Sequence, residues 1–127
     1  MSAILDKMVN ADVIVLATPV YFYTMNGQLK TLIDRTLPRY AEIRDKDFYF
    51  IATAADEKSA MERTMDGLRA FTDCLPGAKI RGVIYGAGAW QKGDIKKNKA
   101  MQEALDTGRR LNSQQETGSD AANRVNK

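Results

Sequence analysis

The chain predicts an α/β fold, a parallel sheet with helices packed on its faces, and three observations carry that expectation. Val13, Ile14, Val15 and Leu16 form an unbroken aliphatic run, the pattern of a strand covered on both sides rather than one that alternates apolar and polar residues. Immediately afterwards the period changes: Leu29, Leu32 and Ile33 recur at helical spacing, with Gln28, Lys30, Asp34 and Arg35 on the other side. Strand-like runs then return at Asp47 to Thr53 and Ile80 to Tyr85, each followed by another helical pattern, which is the alternation of βαβ units.

Taken in order, Ser2 is placed to cap a short helix in which Ile4, Leu5, Met8 and Val9 share a face, ending before an Asn10–Asp12 turn. A helix that feeds directly into a buried strand normally follows another strand, so the chain is expected to begin partway through its fold. Pro19 has no N–H and biases Thr18 towards extended geometry, so the first strand is expected to stop there. Leu37-Pro38-Arg39 ends the second helix. From Glu57 to about Leu75, Met61, Met65, Leu68, Thr72 and Leu75 trace one face opposite Glu62, Arg63, Arg69 and Asp73. Cys74, just before Pro76-Gly77, reads as a small, partly buried residue. A last helix, about Asn98 to Leu111, is expected to bury Met101, Ala104, Leu105, Gly108 and Leu111. The domain therefore spans 1–112, and the polar segment 113–127, which lacks an apolar stripe, is expected to be disordered.

Composition narrows the function. Nineteen basic and sixteen acidic side chains give a net charge of +3 over 127 residues, too slight an excess to argue for nucleic acid. One cysteine and no histidine exclude a disulfide framework and argue against a zinc or iron–sulfur site built by this chain. The N-terminus has neither a signal-sequence pattern nor a membrane-spanning length of apolar residues, so a soluble, cytoplasmic protein is expected.

The chemistry is sought where open α/β sheets bind ligands, beyond the carboxyl ends of the strands. Thr18 to Gly27 is the first such loop, and Tyr21, Phe22 and Tyr23 crowd it with aromatics. One loop aromatic is ordinarily core; three in succession suit a flat, largely apolar slot. Asn26-Gly27 either simply starts the following helix or lets the backbone come close to a ring. Gly86-Ala87-Gly88 clears side chains from the loop after the third strand, a weak motif by itself. Trp90 either walls the cleft or pins its loop to the core. Lys92, Lys96, Lys97 and Lys99 read as a solvated face that could meet phosphates.

Two stretches resemble a known family. TPVYFYTMNGQLKTLIDR, beginning at Thr18, is similar to the second flavin-contacting segment of the flavodoxin-like, NAD(P)H-dependent FMN reductases, a group that includes the iron-sulfur flavoproteins. GVIYGAGAWQKGDIKKNKAMQEAL, from Gly82 to Leu105, resembles the last strand, loop and helix of the same proteins. The resemblance implies a three-layer flavodoxin-like fold whose parallel sheet is truncated to about three strands, equivalent to strands 3-4-5 of the order 2-1-3-4-5. Relative to that pattern, the family's opening strand and Ser/Thr-rich phosphate loop, which would precede Met1, are expected to be lacking.

The resemblance also implies FMN as cofactor and NAD(P)H as co-substrate, with hydride passing from nicotinamide to flavin and electrons on to a quinone, nitro compound or metal centre. The cofactor-binding residues expected are Pro19, Val20, Tyr21, Phe22, Tyr23, Met25, Asn26, Gly27, Thr53, Ala54, Tyr85, Gly86, Ala87 and Gly88, with no protein general base. The alternative is a cofactor-free assembly or interaction module, or a fragment that needs a partner chain. The uncharged strand Val13 to Leu16 would have an open edge, and a homodimer or higher oligomer through that edge is expected.

Overall fold

A computed structural model describes residues 1–125, and within them three parallel strands carry the architecture. The elements are α1 (Ser2–Asn10), β1 (Val13–Tyr21), β2 (Thr24–Met25), α2 (Gly27–Asp34), β3 (Asp47–Thr53), α3 (Glu62–Asp73), β4 (Lys79–Gly86) and α4 (Lys99–Val125). Short 3-10 turns occupy Leu37–Glu42, Lys58–Met61 and Asp94–Lys97. The sheet order is β2-β1-β3-β4: β1 pairs in parallel with β3, β3 in parallel with β4, and the two-residue β2 folds back antiparallel on the end of β1. An α/β fold with a three-strand parallel sheet is thus present, with one short antiparallel addition.

One sheet face is sealed. Ile14, Leu16 and Thr18 of β1 lie beside Phe48, Phe50 and Ala52 of β3, all buried. α3 closes this layer with Met65, Leu68, Phe71 and Thr72, and Met61 and Leu75 are buried at its two ends, so the expected face of this helix is the one that packs. The rings of Phe48 and Phe71 meet edge to face at 6.5 Å. Side chains of this size contribute roughly 1.5–3 kcal/mol each when fully buried, so this layer supplies much of the fold's driving force. Leu5 and Met8 of α1 and Leu29 of α2 join the same core.

Several local expectations are corrected. β1 does not stop at Thr18 but runs to Tyr21, through Pro19, which pairs in register with Thr53. An edge strand needs a ladder on one side only, so it tolerates a residue without an N–H. Ser2 makes no cap; α1 is preceded by Met1 and has no side-chain cap. Cys74 is exposed. α4 does bury Ala100, but Met101 and Leu105 are 42% and 52% exposed, Gly108 is exposed, and Ala104 and Leu111 are only half-buried, because among the described residues the helix packs chiefly on β4 and on the turn before it. The segment from Ser113, expected to lack structure, continues α4 to Val125, and Ala, Gln, Glu and Arg are residues that favour a helix. Asn112, Ser113, Gln114, Glu116 and Thr117 are exposed, in keeping with a segment outside the core, and 126–127 lie outside the described residues.

Candidate functional site

Parallel strands bring their carboxyl ends to one edge, and the register makes the alignment explicit. Pro19 of β1 sits opposite Thr53 of β3, which sits opposite Gly86 of β4. Three expected site residues therefore form one row across the sheet, and the loops that leave it form the candidate site.

The first loop is a β-hairpin. Val20 pairs with Met25 and Tyr21 with Thr24, leaving Phe22 and Tyr23 as a two-residue turn. Both adopt positive φ, 51° and 66°, as such a turn demands, yet neither is the glycine or asparagine that does so cheaply. Left-handed backbone costs roughly 1–2 kcal/mol at each such residue, and strain of this kind gathers at functional sites. The side chains are not core: Tyr21 and Tyr23 are more than half exposed and Phe22 is 99% exposed. The turn is nonetheless anchored. The Arg63 guanidinium lies 5.6 Å from the centre of the Tyr23 ring, and the Thr64 hydroxyl of α3 donates to the Tyr23 carbonyl at 3.5 Å.

The loop then closes on Thr18, whose buried hydroxyl accepts the Asn26 backbone N–H at 3.0 Å. Asn26 caps α2, its side-chain oxygen accepting from the Leu29 N–H at 3.0 Å. A Cβ on Gly27 would meet nothing within 4 Å, so protein packing does not require glycine there, and the first turn of α2 is open to close approach.

The second and third loops are stitched together. The Ala54 N–H donates to the Gly86 carbonyl at 3.0 Å, the Ala89 N–H to the Ala54 carbonyl at 2.9 Å, and the Gly88 N–H to the Asp56 carbonyl at 3.1 Å. Gly88 holds φ at 74° with open space where a side chain would project. Between these loops lies a cleft of about 360 Å³ lined by Ala55, Asp56, Glu57, Ala87, Gly88 and Trp90. The Asp94 carboxylate accepts from the Trp90 and Gln91 N–H groups and fixes the turn. Trp90 itself is 77% exposed, so it does not pin the loop to the core and stands free at the cleft.

Not every expected residue faces this region. Tyr85 points to the α3 side of β4, where Lys58 Nζ sits 4.5 Å from the centre of its ring, and burial pushes its hydroxyl above the ordinary tyrosine range. Met25 turns towards Gly67 of α3, where an added Cβ would come within 3.1 Å of its terminal methyl. Gly86 serves packing: a Cβ there would lie 2.6 Å from Ile95 and 3.4 Å from the Ala52 carbonyl oxygen. Conversely, sequence reasoning passed over Asp56 and Glu57, which place two carboxylates on the cleft, and Thr18, whose only signal was a hydroxyl at the end of an apolar run.

Exposed rings, small residues and open backbone at the ends of β1, β3 and β4 fit the flat ring system of a flavin. The phosphate end of FMN is not matched in the same way, because the cleft is bordered by carboxylates and Lys30, on α2, is paired with Asp34 at 2.6 Å. Among the described residues no acidic or cysteine cluster capable of holding a metal ion occurs, and no helix is long and apolar enough to cross a membrane.

A mostly parallel sheet flanked by helices matches the flavodoxin-like class, and the comparisons specify it. The model of the NADPH-dependent FMN reductase family matches residues 1–91, and the chain belongs to that family. An iron-sulfur flavoprotein of Methanocaldococcus jannaschii is 37% identical over 70 residues, which are 54% of this chain but 36% of that protein. The chain thus spans about a third of the curated relative it matches. Among solved structures, the Trp repressor binding protein from Bacillus subtilis superposes with a TM-score of 0.67 at 24% identity, over 76% of this chain and 67% of that one. An NADPH-quinone reductase from P. pentosaceus superposes with a TM-score of 0.58 at 16% identity, over 76% and 67% respectively. At these identities the structural matches establish the fold, while the family match establishes kinship with NAD(P)H-dependent flavin oxidoreductases.

Proposed function

We propose that this chain forms the isoalloxazine-binding part of an FMN-dependent NAD(P)H oxidoreductase whose acceptor is a small oxidant such as a quinone or nitro compound, or a metal centre. The observation that carries the proposal is the strained Phe22-Tyr23 turn, which holds exposed aromatic side chains at the same sheet edge as the open glycine loop at Gly88. Hydride acceptance and onward electron transfer are chemistry that the flavin supplies when bound. The chain's residues have the tasks of binding and orienting. Tyr21, Phe22 and Trp90 provide apolar and aromatic surface, Gly27 and Gly88 leave room for close backbone approach, and the positive end of α2 favours negative charge beside it. On this reading no protein acid or base is needed, because the hydride chemistry belongs to the flavin.

A second reading, an assembly module without cofactor, is favoured by one observation: Asp56 and Glu57 stand on the cleft, and among the described residues that line it none is a lysine or arginine. Hydrogen bonds to charged groups are worth roughly 1.5–3 kcal/mol each, so three missing phosphate contacts amount to about 5–9 kcal/mol of affinity. Titration of the purified chain with FMN, followed by flavin fluorescence, separates the two. Saturable quenching, followed by NADH- or NADPH-dependent bleaching at 450 nm or thereabouts, supports the reductase. Failure to bind FMN at any concentration up to about millimolar removes it.

A further inference from the structure

We infer that the cleft at Trp90 takes the adenosine end of the nicotinamide co-substrate, and that Asp56 and Glu57 select NADH over NADPH there. The proposed function supplies the ligand's identity as a hydride donor. The choice between the two donors rests on the residues of the cleft itself.

Two loops build that cleft. Ala55, Asp56 and Glu57 follow β3, Ala87, Gly88 and Trp90 follow β4, and between them they leave about 360 Å³, room for one nucleoside rather than for a whole dinucleotide. Trp90 is the chain's single tryptophan and is largely exposed, yet its backbone is fixed. The Asp94 carboxylate accepts the Trp90 N–H at 3.1 Å and the Gln91 N–H at 2.8 Å, and the Ala89 N–H is held by the Ala54 carbonyl at 2.9 Å. An indole on a fixed backbone with an open face is a platform on which a base can stack. Ala55, Ala87 and Gly88 put no large side chain beside it.

The two carboxylates give the cleft its sign. Both residues are exposed, and among the described residues neither carboxylate is in an ion pair. One Asp56 oxygen accepts the Glu57 N–H at 2.8 Å, which orients the group and leaves its second oxygen for a ligand. Neighbouring cations do not offset this charge within the cleft. Lys58 Nζ sits over the Tyr85 ring, and Lys92, Lys96 and Lys97 follow Trp90 in the chain without lining the cleft.

A carboxylate only accepts hydrogen bonds, so it suits the 2′-hydroxyl of an unmodified ribose, which donates one. NADPH replaces that donor with a phosphate carrying about −1.5 to −2 charges at pH 7. The same two groups therefore attract one ligand and repel the other, while the adenine, pyrophosphate and nicotinamide are common to both and cancel in the ratio. Even in water, one pair of unit charges about 4 Å apart shifts a binding constant by roughly fivefold, so two carboxylates facing this phosphate should favour NADH by at least about tenfold. The family is described by NADPH, and the acidic lining sets this chain apart from that description.

Trp90 reports on its own cleft, because no second tryptophan contributes to the emission. The full chain is titrated with ADP-ribose and with ADP-ribose 2′-phosphate, probes that lack the nicotinamide and need no flavin. ADP-ribose should quench saturably with a dissociation constant at least about tenfold below that of the 2′-phosphate, and the ratio should shrink as salt rises. Asp56→Asn combined with Glu57→Gln keeps the shape and removes both charges. This variant, shown to be folded by circular dichroism, should bind the two probes within about threefold of each other, chiefly by binding the phosphate more tightly. Three outcomes overturn the inference: the parent binds the 2′-phosphate as well as ADP-ribose, the ratio is unchanged in the variant, or neither probe quenches Trp90 up to about 10 mM. FMN titration of the same chain separates the two ideas. The expected ratio without FMN binding leaves a nucleotide site and removes the reductase, whereas FMN that is bound and reduced equally well by NADH and NADPH leaves the reductase and removes the selection.

Discussion

The Thr18 hydroxyl and the Asn26 backbone N–H meet at 3.0 Å across eight residues, and this one bond closes the aromatic loop on the end of its own strand. Thr18 is 3% exposed, and its hydroxyl also donates to the Pro19 carbonyl at 2.7 Å, so the group has no water to fall back on. Thr18→Val keeps the shape and removes the acceptor. Leaving the Asn26 N–H unpaired should cost about 1–3 kcal/mol. Urea unfolding should show a lower midpoint with an unchanged slope, and Thr18→Ser should restore most of it. Equal stabilities for the valine and serine variants would mean that the bond contributes nothing.

Two glycines in the site region should respond oppositely to the same substitution. Gly27 is the first residue of α2 with open space at its Cβ position, so Gly27→Ala should leave stability unchanged or raise it by up to about 1 kcal/mol. Gly86→Ala drives a methyl to 2.6 Å from Ile95 and 3.4 Å from a backbone oxygen, an overpacking that should cost about 1–3 kcal/mol. If the space before α2 receives a ring, Gly27→Ala should weaken FMN binding without destabilising the chain. Parallel unfolding and FMN titrations check both expectations.

Much of this arrangement was legible because the relevant residues obey strong local rules. β3 has the expected bounds, Asp47–Thr53, because a run of Phe, Tyr, Phe and Ile allows little else, and the buried face of α3 follows from its helical period. The exposed aromatics at 21–23 follow from three bulky side chains sharing one short loop. What escaped depends on neighbours. Met101 and Leu105 look like core by period, yet among the described residues α4 packs chiefly on β4 and both side chains stay exposed. The direction of Tyr85 is set by a register irregularity at Phe48/Tyr49 in the β3–β4 ladder, which no one-dimensional pattern reveals. Pro19 reads as a strand terminator until β1 is known to be an edge.

An acid-sensitive contact ties α1 to the segment after α2. Arg39 donates to Glu42 at 2.9–3.0 Å and to Asp6 at 2.6 Å, and the Arg39 hydrogen bond holds the Glu42 carboxyl below its usual value of 4.5. A carboxyl depressed in the folded state stabilises the fold above pH 4.5 or thereabouts, and that stabilisation is lost as pH falls through the lower, folded value. The cluster is exposed, so the effect should be small. Glu42→Gln should flatten the pH dependence of stability below about pH 4.5 relative to the parent. Superimposable acid titrations of the two proteins would show that the contact is energetically silent.

The turn at Phe22-Tyr23 offers the sharpest separation of folding from function. Its two positive-φ residues are not glycine or asparagine, so the chain tolerates strain there, and the side chains gain little burial in return. Replacing the pair with Asn-Gly supplies the residues this hairpin turn favours and should stabilise the protein by about 1–2 kcal/mol. The Tyr23 ring contact with Arg63 is lost in the exchange, but an exposed cation–ring contact is worth only about 0.5–1 kcal/mol, less than the strain relieved. Single alanine substitutions at Tyr21, Phe22 and Tyr23 should likewise leave the thermal transition within a few degrees of the parent. If the aromatics serve a flavin, every one of these variants should bind FMN more weakly, the stabilised Asn-Gly form included. A variant that is more stable and binds FMN equally well would show that the strained turn is not part of the site, and one that unfolds would show that the ring contacts are structural.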